Sequence, residues 1–391
     1  MIVEISLRSL KTGLYIVGFL SKHELPRRRG LLGALRIAVL VTMGILVGAE
    51  AAAQVWLASH PIVDVAAFLR SRPLPYQNAP YWSSQFVQEM LNTQENWYLS
   101  DGGYWLPHDF QGKYFNVENG LRHTAFQPTH ALHTVYLIGN SSLYDHEVPD
   151  EATVASQLQL LLNARYGTTY RVLNLGAIPA IAFQQLERLK SLKLSRGDIV
   201  IFYDGAAEAL SVYYAASNDH WSHSLRTQVC GWLLQRVVFS ALVKISCELS
   251  DQDIPELTDD AYVQKLINTA QIQYFGAIRE AAQYSRSNGA QFYHFLQPHI
   301  WTRPLSPYED ELAANLYLVP KYQREVTLKT WANLQPVTAM LTRAGIATWD
   351  FTHILDSTRA QGKELYLNSF HLNEVGNAII ARAMFDSLYF R

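Results

Sequence analysis

The chain has 391 residues, of which 49% are hydrophobic and 17% charged, with a net charge of −2. That is ample material for one large core, so a disordered chain is excluded; with no basic stripe beyond a short N-terminal cluster, nucleic acid is excluded as the main partner. Aromatic residues make up 12%, a level that a well-packed core explains without invoking sugar binding, and the two cysteines, Cys230 and Cys247, are too few for a disulfide framework.

The first informative stretch is apolar. Residues 31–47 carry only Arg36 and Thr42 as polar interruptions, and residues 51–58 continue with only Gln54. A helix over about 31–56 is long enough to cross a bilayer, which takes about 20 residues. Arg36 can snorkel at one end, and Trp56 suits the far interface. Lys22, Arg27, Arg28 and Arg29 all precede the run, so the positive-inside rule keeps the N-terminus cytoplasmic and exports everything after Ala58. A cleaved leader is the alternative, because Ala49-Glu50-Ala51 has the small-x-small form. The chain thus divides into a cytoplasmic segment (1–30), an anchor (31–58), a linker and loop-rich lead-in (59–128) and an α/β domain (129–391).

From residue 134 the pattern is regular. Strands are expected at 134–138, 170–174, 199–203, 291–296 and 346–350. Helices are expected at about 152–166, 182–192, 261–287, 321–344 and 374–389. Residues 210–260 break the rhythm and read as an insertion; it holds both cysteines, which form one bridge or remain a pair of thiols. Strands alternating with helices predict a three-layer α/β/α sandwich around a mostly parallel sheet.

In such a sheet the loops after the strands converge on one edge, where ligands bind. The first loop is Gly139-Asn140-Ser141-Ser142, the second Asn174-Leu175-Gly176-Ala177, and the third Asp204-Gly205-Ala206-Ala207-Glu208. The fourth is Gln297-Pro298-His299, and the last is Asn368-Ser369-Phe370-His371. A serine becomes a nucleophile only beside a base, and histidine is the usual one, so Ser141 and His371 form a natural pair. Backbone N–H groups at Ser141 and Gly176 can hold the oxyanion. His299 is a candidate pocket residue. His220-x-x-His223 and the pair His130/His133 have two-ligand spacing but no Cys or carboxylate cluster beside them, so no metal is expected. No Walker loop or GxGxxG follows a strand, so no cofactor is expected.

Five blocks, in order, resemble the SGNH or GDSL-like hydrolases, and more closely the membrane-anchored members found with bacterial exopolysaccharide systems. They are "GKYFNVENGLRHT", "YLIGNSSLYDHEVPDEATVASQLQLLLN", "YRVLNLGAIPA", "DIVIFYDGAAEA" and "LYLNSFHLNEVGNAIIA". The resemblance implies Ser141 as nucleophile, Gly176 as a backbone oxyanion donor and His371 as base. Two positions depart from the family pattern. Ala207 stands where the family has an oxyanion-donating Asn, and Asn368 where it has the Asp that orients the histidine. Elsewhere, losing one oxyanion donor costs roughly 10²–10³ in turnover, and the matching Asp→Asn change about 10⁴. Asn368 still helps if its carbonyl oxygen faces the ring. Asn140 or Ser142 can substitute as donor, and Asp204, Glu208 or Asp145 as carboxylate.

The expectation is a single-pass protein of the bacterial inner membrane that removes O-acyl groups, acetyl foremost, from an exported polysaccharide or another ester. An O-acyltransferase is a variant. The alternative is an inactive or weak member of the fold that binds a glycan or a partner in polysaccharide export. Exopolysaccharide-assembly proteins are the expected partners.

Overall fold

The computed structural model describes residues 27–59, 65–95, 97–217, 260–315, 320–356 and 363–389. Cys230, Cys247, His220 and His223, and most of the expected insertion, lie outside them. Two compact units are present, the first containing helix α1 (Arg27–Ser59) and the second the described chain from Val65 onward. Within α1, Ile37–Val55 is apolar enough to span a membrane. Its 19 residues reach about 28 Å as a helix, close to the thickness of a hydrocarbon core.

The second unit is built on an eight-stranded sheet among the described residues, in the order Ala347–Asp350, Gln291–Leu296, Ile199–Asp204, His133–Gly139, Tyr170–Gly176, Leu121–Arg122, Asn116–Glu118, Phe110–Gln111. Strands β6 (His133–Gly139), β7 (Tyr170–Gly176), β8 (Ile199–Asp204), β9 (Gln291–Leu296) and β10 (Ala347–Asp350) run parallel. β6 lies between β7 and β8, and all five match the expected strands. Burial along β6 alternates between two cores, as a pleat requires. Val135 and Leu137 face α5 (Val154–Tyr166) and α11 (Glu374–Ser387) through Leu158, Leu162, Ile380 and Met384. Tyr136 and Ile138 face α6 (Ala182–Lys190), α8 (Asp260–Ser287) and α10 (Pro320–Arg343) through Leu186, Ile278, Leu334 and Val337. The result is the expected three-layer sandwich. α7 (Ala206–Ser217) packs with α8 and α10 through Val212, Tyr213, Ile267 and Val326. The first part of the expected insertion is therefore helix.

The lead-in is more ordered than its composition suggested, and it belongs to the same unit as the α/β core. After α2 (Val65–Ser71) and α3 (Ser84–Glu95), strands β1 (Trp97–Leu99) and β2 (Trp105–Pro107) form a hairpin. Strands β3 (Phe110–Gln111), β4 (Asn116–Glu118) and β5 (Leu121–Arg122) extend the main sheet antiparallel, β5 meeting β7 at Arg122 opposite Asn174. Buried Glu89 on α3 fixes the turn before β4 by accepting the N–H groups of Lys113, Tyr114 and Phe115 at 3.0, 2.8 and 3.3 Å. These strands have two or three residues each, too short for a period-2 pattern to register in the sequence.

Candidate active site

The apolar strand β6 ends at Gly139, and the chain turns at once into the short helix α4 (Ser141–Tyr144). Asn140 caps it: its Oδ1 accepts the Ser142 N–H at 3.0 Å. The N–H groups of Leu143 and Tyr144 go to the Asn140 carbonyl. Among the hydrogen bonds of the described residues none takes the Ser141 N–H, which stands in the first turn of α4 beside its own hydroxyl. The close approach of α4 to β7 needs a glycine at 176. A Cβ there would lie 2.3 Å from the Tyr144 nitrogen and 2.7 Å from its Cα.

His371 reaches Ser141 from the loop before α11, its Nε2 2.9 Å from Ser141 Oγ. Ser141 is 8% exposed and His371 4%. The carboxylate behind the histidine is one that the sequence reading did not consider. Glu147 Oε2 lies 2.5 Å from His371 Nδ1. A carboxylate at that distance can accept an Nδ1 proton, which leaves the Nε2 lone pair toward the serine; the Asn368 NH₂, 2.7 Å away, competes for the same Nδ1. The arrangement has the form of a nucleophile, a base and an orienting acid. Burial works against the charge on Glu147, but the neighbouring His371 and His146 outweigh it and bring its pKa down to about 2. Glu147 arrives there because Asp145, in the left-handed region at φ 59°, ends α4 and turns the chain back. Its loop is pinned on both sides. Tyr76 O–H donates to the Glu147 carbonyl at 2.9 Å, and Arg122 holds the Val148 carbonyl and Asp150 at 2.8 Å each.

Asn368 does not take the orientation that would replace an aspartate. Its Oδ1 accepts the N–H groups of Phe370 and His371 at 3.1 and 2.9 Å, so its NH₂ faces the site. That NH₂ donates to Glu147 Oε1 at 2.8 Å and lies 2.7 Å from His371 Nδ1. Asn368 thus steadies the acid.

The other substitutes are engaged elsewhere. Asp145 Oδ2 accepts the Val154 N–H at the start of α5, at 2.9 Å. Asp204 Oδ1 accepts from Tyr274 O–H at 2.5 Å and lies 3.1 Å from His294 Nε2. Glu208 Oε1 accepts the Ala182 N–H at the start of α6, at 2.6 Å. Asn140 and Ser142 form a buried network with Gln297, Asn140 Nδ2 donating to Gln297 Oε1 at 2.8 Å and Gln297 Nε2 to Ser142 Oγ at 2.6 Å. Ser142 spends its O–H on Asn140 Oδ1 at 2.6 Å, and Asn140 spends one of its two amide N–H groups on Gln297. Gly176 N–H donates to Asn174 Oδ1 at 2.9 Å, an engagement that the resemblance did not imply. Ala207 is buried at the start of α7 and offers no side-chain donor.

His299 is buried and its pKa is pushed down by burial to about 3, so it is neutral. Its Nδ1 accepts the Trp301 N–H at 3.2 Å, which puts the ring proton on Nε2. The ring lies 4.9 Å from that of Trp331 and 6.0 Å from that of Phe370, next to His371. His146 stands edge-on to His371 at 4.7 Å, and burial lowers its pKa to about 4. Ligand atoms of His146, Glu147 and His371 all lie within 4.8 Å of one another, a donor cluster that the two-ligand histidine spacings in the sequence did not signal. A separate cleft of about 550 Å³, lined by Phe110, Asn116, Glu118, Arg122 and Asn174 among others, contains neither Ser141 nor His371.

No family model and no curated protein matches this sequence. Solved structures to which the chain is similar include an acetylxylan esterase from Geobacillus stearothermophilus, at 11% identity and a TM-score of 0.39, over 67% of this chain and 96% of that one. A phospholipase A1 from Streptomyces albidoflavus is 12% identical with a TM-score of 0.39, over 66% of this chain and 100% of that one. A lipolytic protein of the G-D-S-L family from Veillonella parvula is 11% identical with a TM-score of 0.37, over 65% and 97%.

Proposed function

We propose that this protein is a serine ester hydrolase. Its substrates are O-acyl esters, acetyl foremost, of an exported polysaccharide or a comparable extracytoplasmic ester, and α1 anchors it in the bacterial inner membrane with its N-terminus in the cytoplasm. The observation that supports this best is the continuous contact from Ser141 Oγ through the His371 ring to Glu147. In the proposed reaction His371 Nε2 takes the Ser141 proton as Oγ attacks the ester carbonyl. The Ser141 N–H stabilises the tetrahedral oxyanion. His371 returns the proton to the leaving alkoxide, and water then releases the acyl group by the same steps in reverse order. The Nε2–H of His299 is proposed as a donor to substrate from the Trp331–Phe370 wall. With Ala207 silent and the Gly176 N–H held by Asn174, the oxyanion hole has two fewer free donors, and turnover is expected to be slow. Gly176 contributes once substrate draws its N–H from Asn174.

Those same two features, Ala207 and the engaged Gly176, favour a second reading: a glycan- or partner-binding protein in polysaccharide export that does no chemistry. Fluorophosphonate labelling of the full-length protein in detergent, mapped by mass spectrometry, separates the two. The esterase reading expects stoichiometric labelling at Ser141, absent in Ser141→Ala and weakened in His371→Ala. No labelling of folded protein at neutral pH would leave the binding reading. Transfer of acetyl to an added sugar in place of water would identify an acyltransferase.

A further inference from the structure

The cluster of His146, Glu147 and His371 does more than complete the proposed catalytic pair. Two imidazoles and one carboxylate are a donor set that holds zinc with a fourth position open to water. Glu147 Oε1 is already 3.6 Å from His146 Nε2, and Oε2 is 2.5 Å from His371 Nδ1. Donors about 2.0–2.1 Å from a tetrahedral zinc stand roughly 3.3 Å apart, so a spread of 4.8 Å closes around an ion by about 1.5 Å. The site is reachable, the side chains of His146 and Glu147 being 13% and 16% exposed. It also carries the negative charge that a divalent ion needs.

We propose that His146 Nε2, Glu147 and His371 Nδ1 form a regulatory site for a zinc-like divalent transition ion, and that occupancy switches the hydrolase off. The inference rests on the esterase reading for its consequence, but not for the binding itself. The chemistry balances without a co-reactant. Without the ion, a His371 that gives its Nδ1 proton to Glu147, in place of accepting from the Asn368 NH₂, keeps its lone pair on Nε2. Coordination takes the Nδ1 lone pair, so the same single proton relocates through solvent to Nε2. The ring then presents N–H to Ser141 Oγ and has no lone pair to receive the serine proton. Glu147, bound to the ion, is lost to the ring at the same time. Magnesium and calcium, which prefer clusters of oxygen ligands, are not expected to compete.

The test uses tag-free, full-length protein in detergent. Zinc binding is read by competition with a chromophoric chelator, and hydrolysis with p-nitrophenyl acetate, each variant compared with itself in EDTA. The expected result is one zinc per chain, inhibition with the same midpoint as binding and full recovery in EDTA. His146→Ala and Glu147→Gln should each weaken binding at least about tenfold, and His130→Ala should leave it unchanged. Absence of competition, or binding indifferent to His146→Ala, overturns the proposal. Hydrolysis without zinc binding sinks the metal site alone. Zinc binding in a protein that never hydrolyses the ester sinks the esterase reading and overturns the switch, leaving a bare metal site.

Discussion

Glu147 keeps its charge in a place where burial alone would remove it, because two imidazoles stand beside it. If it sets the His371 tautomer, Glu147→Gln should lower kcat by about 10³–10⁴ with little change in KM, as removal of the orienting acid does in serine proteases. Asn368→Asp alone should also impair turnover. It would place a second carboxylate where the Asn368 NH₂ now donates to Glu147 at 2.8 Å, and two such charges cannot both ionise cheaply. The double variant Glu147→Gln with Asn368→Asp moves the single carboxylate to the position where the resemblance places it. It should recover much of the activity that Glu147→Gln loses, as steady-state kinetics on the same ester would show. Ser141 and His371 were legible because each sits at an element boundary with strong turn chemistry. Glu147 was not, because its place depends on the left-handed turn at Asp145, which neither the spacing nor the residue type announces.

Among the elements, the lead-in supports the site from outside the sandwich. Tyr76 holds the Glu147 carbonyl, Asn373 Nδ2 donates to the Pro75 carbonyl at 3.0 Å, and Tyr81 O–H donates to Glu374 at 2.6 Å. One short stretch therefore clasps the acid's loop and the start of the helix that follows His371. Tyr76→Phe should cost only about 1 kcal/mol of stability, the worth of one hydrogen bond. Its effect on kcat should be larger than on KM and should vanish in a Glu147→Gln background, a non-additivity that a purely structural role would not produce. At the other contact, Gly176→Ala forces α4 off β7 backbone against backbone. It should destabilise the protein by roughly 1–3 kcal/mol, measured by denaturant melting. The sandwich strands and helices were legible from their periodicity, since each is long enough to show one. The antiparallel extension was not, because its strands are pairs and triplets held by Glu89, Asp150 and tertiary contacts.

At the scale of the molecule, Glu208 makes stability depend on pH. Burial, and then the charge of Asp204, raise its pKa to about 8. A carboxyl raised on folding holds its proton longer in the native state than in the unfolded one. Its contribution is therefore complete below the ordinary value of 4.5 and is lost as pH rises toward about 8. Thermal melting should show the wild type losing stability across that window and Glu208→Gln losing less, since the amide stays neutral and can still accept the Ala182 N–H. The site has a counterpart dependence in time. Ser141 and His371 are 230 residues apart in the chain, and Tyr76 meets Glu147 while its neighbour Pro75 meets Asn373. At roughly 5–20 residues per second of synthesis, the serine emerges some tens of seconds before its base. Throughout that interval, and in any fragment cut short before residue 371, the hydroxyl is an ordinary alcohol. On the esterase reading, a half-made chain therefore carries no active serine until residue 371 is in place beside it.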